Sequence, residues 1–300
     1  SFNILRTRID KFGVTQPNIQ KLGSGRILIE LPGVKEPERV RKLLQGTAKL
    51  EFWETYDNKE VFDHLVKVND FLKKQNLGTD TAAAATDTTL TAKAETDTSK
   101  SKSLLQKLNK PDSALAAGDT SNKSFEKFSK ENPLFSVLTP ALVQNEQGQQ
   151  EYRKGPVVGM VAIKDTGKVR KYLDMPEVKS ILPKELRLLW TVKPISKESN
   201  FLELVAIKVS GREKKAPLEG DAIADARQDF GQINHSPEIS MTMNPEGAKT
   251  WKKLTAENIG KSIAIVLDDY VYSYPTVQGE ISGGRSSISG RFEINEAKDL

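Results

Sequence analysis

Cysteine is missing from this 300-residue chain, and histidine occurs only twice, as His64 and His235. The first absence excludes disulfides, thiolate zinc sites and thiol catalysis. It does not fix a compartment. Two histidines are too few for a His-rich metal site, and each reads as a surface or packing residue. Long apolar runs are also missing. The longest, such as Ile263–Leu267, fall far short of the roughly 18–20 residues of a membrane-spanning helix. Nor does one charge sign dominate: 45 basic and 40 acidic residues leave a net +5. The signs are interleaved, as in Lys35-Glu36 and Lys249–Glu257, and the largest basic cluster, Arg212–Lys215, is interrupted by Glu213. Nucleic-acid binding needs a basic stripe with aromatic or helical presentation. The chain shows neither, so no nucleic-acid partner is expected. No signal peptide opens it: SFNILRTRID starts in mid-pattern. An excised soluble piece is expected.

What is present is a well-punctuated α/β pattern. Three hundred residues suit two domains, or one large domain with an insertion. In residues 2–12, Phe2, Leu5, Ile9 and Phe12 form one helix face, stopped by Gly13. Ile19–Leu22 and Arg26–Leu31 read as strands around Gly23-Ser24-Gly25. A helix runs between Pro37 and Gly46, and Ala48–Glu54 is the next strand. There Leu50 and Phe52 share one face, Glu51 and Trp53 the other. Residues 1–56 thus read as most of a split βαβ plait.

Residues 59–77 return to helix through Val61, Leu65, Val68 and Leu72, with Gly78 as the stop. The Thr/Ala/Asp/Ser tract 79–103 cannot bury enough apolar area to offset its ordering entropy. The stretch 79–124 is therefore read as a flexible insertion with a short helix at Leu104–Leu108. Further on, Val157–Ile163 is a strand and Thr166–Leu173 a helix. Pro176–Leu182 adds another turn or two. Leu186–Val192 and Phe201–Val209 are antiparallel strands. Residues 221–230 read as a helix capped by Asp221, with Ile223, Ala226 and Phe230 on one side.

The densest signals lie in 238–290. Glu238–Met243 alternates as a strand. Asn244 is the N-cap and Pro245 the first residue of a helix lined by Ala248, Trp251 and Leu254. Gly260 closes it. Ile263–Leu267 and Tyr270–Tyr274 make a hairpin around Asp268-Asp269, pairing Leu267 with Tyr270, Ile265 with Tyr272 and Ile263 with Tyr274. A two-residue type I′ turn prefers glycine second, so Asp269 is strained or the loop is longer. Residues 280–290 return as strand. Residues Ile294–Leu300 begin a last helix.

Candidate chemistry is thin. Gly260-Lys261-Ser262 ends like a phosphate loop, but the preceding glycine position is Thr255 and the order is helix-to-strand. Asp268-Asp269 has no third ligand in reach by sequence, so it reads as a hairpin tip. Tyr270, Tyr272 and Tyr274 share a strand face and read as sheet packing. Ser286, Ser287 and Ser289 have no histidine or lysine partner that spacing reveals. Trp53, Trp190 and Trp251 read as core or half-buried. No catalytic, cofactor-binding or metal residue is assigned, and no enzyme activity is expected.

One likeness has more content. Arg26–Val34, RILIELPGV, and Thr47–Phe52, TAKLEF, resemble the start of the large periplasmic domain of the SecD family of protein-export membrane proteins, some fused as SecDF. GDAIADARQDF, then ISMTMNPEGAKTWKKLTAENIGKSIAIVLDDYVYSYPTV, then ISGRFEINEAKDL, follow that pattern in order. The matching stretches are residues 1–56 and 219–300, a little under half of the chain. Residues 57–185 match nothing in the usual pattern, and Asp268-Asp269 stands where family hairpins often have Asp-Gly.

The resemblance implies an α+β fold. Its ferredoxin-like split base is residues 1–56, to which 291–300 return. A large inserted head, 57–290, carries a mixed or antiparallel sheet. It implies a hinge near Tyr56-Asp57 and Gly290-Arg291. It implies a non-enzymatic domain on the periplasmic side of the bacterial inner membrane, held there by segments outside this chain. The expected partners are unfolded secretory preproteins, SecF and the SecYEG channel. Head–base motion, coupled to the proton gradient through those absent helices, would promote export. The competing reading is a free periplasmic chaperone or ligand-binding module.

Overall fold

The computed structural model describes residues 9, 17–23, 26–32, 50–79, 128–147, 149–196, 198–211, 214–231 and 237–289. The helices expected at 2–12 (apart from Ile9) and 37–46 lie outside that set, as do the insertion beyond Thr79, Leu104–Leu108, His235, Gly290, Arg291 and the C-terminal helix. The chain divides into two compact units, Ser1–Lys49 and Leu50–Lys298.

In the first unit the glycine-punctuated strands form a hairpin. β1 (Asn18–Leu22) pairs antiparallel with β2 (Arg26–Glu30), from Asn18↔Glu30 to Leu22↔Arg26. The Asn18 amide donates to the Glu30 carboxylate at 2.7 Å across that pair.

The second unit opens with β3 (Leu50–Thr55) and the helix α1 (Asn58–Thr79). β3, read with residues 1–56 from the sequence, lies inside an eight-stranded sheet of this unit. The helix does not stop at Gly78 but continues to Thr79. Then come β4 (Leu138–Pro140), β5 (Leu142–Gln144), β6 (Gln150–Tyr152) and β7 (Val157–Ala162). Helices α2 (Thr166–Asp174) and α3 (Pro176–Ile181) follow, as expected from their spacing. β8 (Leu186–Trp190) and β9 (Phe201–Lys208) pair antiparallel, also as expected. The rest is β10 (Leu218–Glu219), β11 (Ile223–Phe230), β12 (Pro237–Met243), α4 (Pro245–Glu257), β13 (Ile263–Leu267), β14 (Tyr270–Ser273) and β15 (Arg285–Ser289).

The eight-stranded sheet runs β14-β13-β3-β9-β7-β4, with β10 on β3 and β8 on β9. All its strand ladders are antiparallel. The sheet rolls on itself. Thr191, next after β8, meets Val271 of β14 in a parallel bridge, and the Val192 N–H donates to the Val271 C=O at 3.0 Å. The strands β3, β13, β14, β8 and β9 therefore close around an interior of Trp53, Leu189, Val205, Ile207, Ala264, Val266 and Val271. The outer face carries α1, whose Val61, Phe62, Leu65 and Val68 pack on Val158, Val161, Trp190 and Leu204. Each such side chain contributes about 1.5–3 kcal/mol by leaving water.

A second sheet, β11-β12-β15, covers the other face of β3 and β13 through α4. Phe52, Ile263 and Ile265 meet Trp251, Leu254, Ile239, Met241 and Met243 there, with Phe52 and Trp251 edge to face at 5.4 Å. The expected cap of α4 is present: the Asn244 side chain accepts from the Gly247 N–H at 2.8 Å, with Pro245 at the helix start.

Two expectations are corrected. Residues 221–230 are not a helix. Gly220–Ala222 make one tight turn and Ile223–Phe230 a strand on β12. Three apolar residues at helical spacing are a weak signal over so short a window. The alternation of Asp225, Arg227 and Asp229 and a full partner strand prevail. The hairpin register also departs from the simple count. Leu267 pairs with Tyr270 as expected, but Ile265 pairs with Ser273, not Tyr272. Val266 pairs with Val271 as the simple count has it, both in the interior, and a bulge then adds one residue on β14 between Val271 and Ser273. The loop is the two-residue kind, with Asp268 at φ 49° and Asp269 at φ 68°.

Candidate functional site

Tyr56 and Asp57 sit where β3 hands over to α1. At the helix start the Glu60 carboxylate accepts from the Asp57 N–H at 2.9 Å, and the Glu60 N–H donates to the Asp57 backbone carbonyl. Asp57 also reaches out of its own segment, its Oδ1 accepting from the Gly155 N–H at 3.0 Å. The Tyr56 N–H donates to Ala206, and the Asn58 N–H to Gly155. The fully buried Asn58 side chain donates to the Ala141 carbonyl at 2.7 Å. Burial pushes the Tyr56 phenol above its ordinary range, helped by the charges of Glu185, Glu60 and Glu54. The junction thus joins β3 and α1 to the strands beside them. The other half of the expected hinge, Gly290 and Arg291, lies outside the described residues.

A second polar centre was not singled out from the sequence. Glu203 lies in the apolar run FLELVAIK and is 1% exposed. Its carboxylate accepts from Arg153 Nη1 at 3.0 Å and from the Tyr274 hydroxyl at 2.6 Å. Its backbone N–H donates to the Thr191 hydroxyl at 3.1 Å, and the Thr191 N–H returns a bond to the Glu203 carbonyl. One carboxylate therefore ties β9 to the segment before β7, and to the end of β14. A lone acid inside a β-branched run is the signal that would have found it, since a buried charge needs partners.

Arg153→Ala removes the cationic partner of this carboxylate. Loss of one partner of a fully buried pair costs about 3–5 kcal/mol, but the Arg153 side chain is 41% exposed and partly screened. A destabilisation of about 2 kcal/mol is expected in urea unfolding at neutral pH. Arg153→Lys should recover part of it.

The remaining sequence candidates resolve into structure. Gly260 adopts φ 78° and donates its N–H to the Val277 carbonyl, while Ser262 is buried and its carbonyl accepts from Thr55 at 2.7 Å. Gly260-Lys261-Ser262 is a helix-to-strand turn. The Asp268-Asp269 tip meets Arg187 of β8, whose Nη2 is 2.6 Å from Asp269. Tyr270 is exposed, whereas Tyr274 turns to Glu203. Ser287 donates to Glu238. His64 Nδ1 lies 3.1 Å from the Ile181 carbonyl. Trp53, Trp190 and Trp251 are all buried. Among the described residues no group of three His, Asp or Glu side chains could hold a metal, and no helix is long and apolar enough to cross a membrane.

The surface offers apolar side chains instead. Phe201 and Ile163 are both exposed at one end of the β7·β9 ladder: Phe201 lies opposite Ala162, and the Ile163 N–H donates to Asn200. Val192 and Tyr270 are exposed on either side of the bridge between Thr191 and Val271. Phe230 is half exposed at the end of β11, whose only ladder among the described residues is to β12.

Residues 207–300 match the family model of the SecDF P1 head subdomain, and residues 1–57 match that of the N-terminal part of the P1 domain of protein translocase subunit SecDF. A protein translocase subunit SecD of Rhodothermus marinus is 40% identical over 300 residues, covering all of this chain and 42% of the relative. The SecD subunit of Calditerrivibrio nitroreducens is 25% identical over 297 residues, covering 99% of this chain and 35% of the relative. The chain therefore spans about two fifths or less of the length of these curated relatives. A solved structure of SecDF, described as a membrane component that enhances protein export, is 23% identical with a TM-score of 0.43, over 99% of this chain and 80% of its own.

Proposed function

Because the chain belongs to the SecD/SecDF family of protein translocase subunits, we propose that it is the part of such a subunit that captures unfolded preprotein emerging on the periplasmic side of the inner membrane. The observation that carries this is the likeness along the whole chain: 40% identity to a SecD over 300 residues, with P1 patterns at both ends. The capture is non-enzymatic. It is transient and of low specificity, and uses exposed apolar side chains and strand edges. Phe201, Ile163, Val192 and Phe230 suit that role.

In this reading a ferredoxin-like base, expected at residues 1–56 and 291–300, carries a swinging head, expected at 57–290. Because β3 is laddered to β9 and β13 it moves with the head, so the first pivot lies ahead of Leu50 rather than at Tyr56-Asp57, and the second stays at Gly290-Arg291. The swing draws on the proton gradient through membrane helices outside this chain. The full-length protein acts with SecF and the SecYEG channel. Photocrosslinking from head positions to a preprotein stalled in the channel tests the reading. Crosslinks from at least one head face are expected, and their absence from every face overturns it.

A further inference from the structure

The closure between β8 and β14 is the most sparsely paired seam of the rolled sheet among the described residues: even β3 and β9 share two pairs and the bond from Tyr56 to Ala206. β8 and β9 share five consecutive pairs, and so do β13 and β3. Between β8 and β14 the described backbone pairing is the Thr191↔Val271 bridge and the bond from Val192 to Val271. Side chains supplement it at two places. Arg187 of β8 holds Asp269 at 2.6 Å, and Glu203, bonded to Thr191, accepts from Tyr274 at 2.6 Å. The turn being held is itself unfavourable. Asp268 and Asp269 both lie in the left-handed region, which glycine adopts at far lower cost. The ladder within the hairpin is interrupted by its bulge.

We propose that the β13–β14 hairpin is a strap which opens at its seam with β8 before the rest of the sheet parts, and that the opened edge of β14 takes one extended segment of unfolded polypeptide as an added strand. Opening uncovers the unpaired N–H and C=O row of an edge strand, with Val271 pointing to the vacated interior. The complement of such an edge is another extended backbone. A second copy of the chain is a poor occupant. Four residues of β14 make an edge about 13 Å long, too short for one added strand to bury the roughly 1,000 Å² of a stable protein interface. A short edge suits brief capture and release. The occupant rests on the function proposed above. The opening does not.

Two amides separate the possibilities. The Val192 N–H bridges the seam to Val271, while the adjacent Thr191 N–H belongs to the β8·β9 side, bonded to Glu203. Hydrogen exchange of the whole chain by NMR should show Val192 exchanging at least tenfold faster than Thr191. Arg187→Ala should raise the Val192 rate about threefold further and leave Thr191 unchanged. Equal protection of the two amides, or no response to Arg187→Ala, overturns the strap.

A Thr191→Cys/Val271→Cys pair gives the lock. Bridged strands stand about 4.8 Å apart, within the span of a disulfide, and the chain has no other thiol. Oxidation should slow Val192 and abolish crosslinking of an unfolded, reduced secretory protein to β14. Crosslinks to β14 that persist in the locked chain overturn strand addition at the seam while leaving capture by the head intact. Loss of crosslinks from every head position even in the unlocked chain overturns capture instead, and exchange at Val192 still decides the strap.

Discussion

Replacing Trp53 by alanine is expected to destabilise the second unit by about 4 kcal/mol, read as a fall in the urea midpoint followed by circular dichroism. Trp53 is 1% exposed and stands inside the rolled sheet. Its place on β3 is set by the ladder to β13, where it faces the small Ala264. That pairing leaves room for the indole over Val205, Ile207 and Val266. Large-to-small changes of this kind cost about 3–5 kcal/mol, the lost transfer free energy plus the cavity left behind. The strands around Trp53 are hydrogen-bonded on both sides, so collapse onto the void is resisted. The indole N–H also donates to the Glu51 carboxylate at 2.8 Å. Trp53→Phe keeps most of the volume and loses that bond, so about 1–2 kcal/mol is expected. Equal costs for alanine and phenylalanine would contradict a packing role.

The second large effect is expected at Gly284, where alanine should cost about 3 kcal/mol. Gly284 adopts φ 63°, and a Cβ built there would lie 2.7 Å from Cβ of Ala248 on α4. The left-handed backbone costs an alanine about 1 kcal/mol. Overpacking against a helix costs about 1–3 kcal/mol more. The helix cannot yield freely, because its start is pinned by Asn244, whose side chain donates to the Asp221 carbonyl and accepts from Gly247. The Gly284 carbonyl also accepts from the Met243 N–H at 2.7 Å, which fixes the entry to β15. Gly283 is the control. A Cβ there meets nothing within 4 Å and its φ is not in the left-handed range. Gly283→Ala should therefore change stability by less than about 0.5 kcal/mol.

What the sequence made readable follows the range of the forces involved. Asn244, Pro245 and Gly260 mark a helix by local chemistry, and the helix is there. The apolar spacing of Val61, Leu65, Val68 and Leu72 gave α1, because one buried face sets its own period. β3 was legible down to its faces: Phe52 joins the cluster under α4, and Trp53 the interior of the rolled sheet. The stretch 221–230 was misread because its three apolar residues allow a helix, and only the β12 ladder, closed later in the chain, decides otherwise. The bulge on β14 falls two residues beyond the turn, after the regular Val266–Val271 pair, and the turn residues alone do not encode it. The seam between β8 and β14 joins residues some eighty positions apart, beyond any local pattern. Glu203 was visible as an acid in an apolar strand, but its partners Arg153 and Tyr274 meet it only through the fold.

The proposed site divides in the same way. The export reading came from the ordered motifs in 1–56 and 219–300, and the matched regions 1–57 and 207–300 agree with them. Where a polypeptide binds is carried by no motif. It depends on surface left apolar by folding, such as the exposed Phe201 and Ile163, and on which strand edges can be freed.

The most direct test of the account is a crosslinking scan in the assembled translocase. A photoreactive residue is placed in turn at exposed head positions, among them Ile163, Val192, Phe201, Phe230 and Tyr270, in the full-length protein. A secretory preprotein is then stalled in the channel and the membranes are irradiated. The account predicts adducts to the preprotein from at least one of these positions, lost when the preprotein is allowed to finish crossing. Adducts from none of them, in a complex whose channel is shown to hold the preprotein, would contradict it.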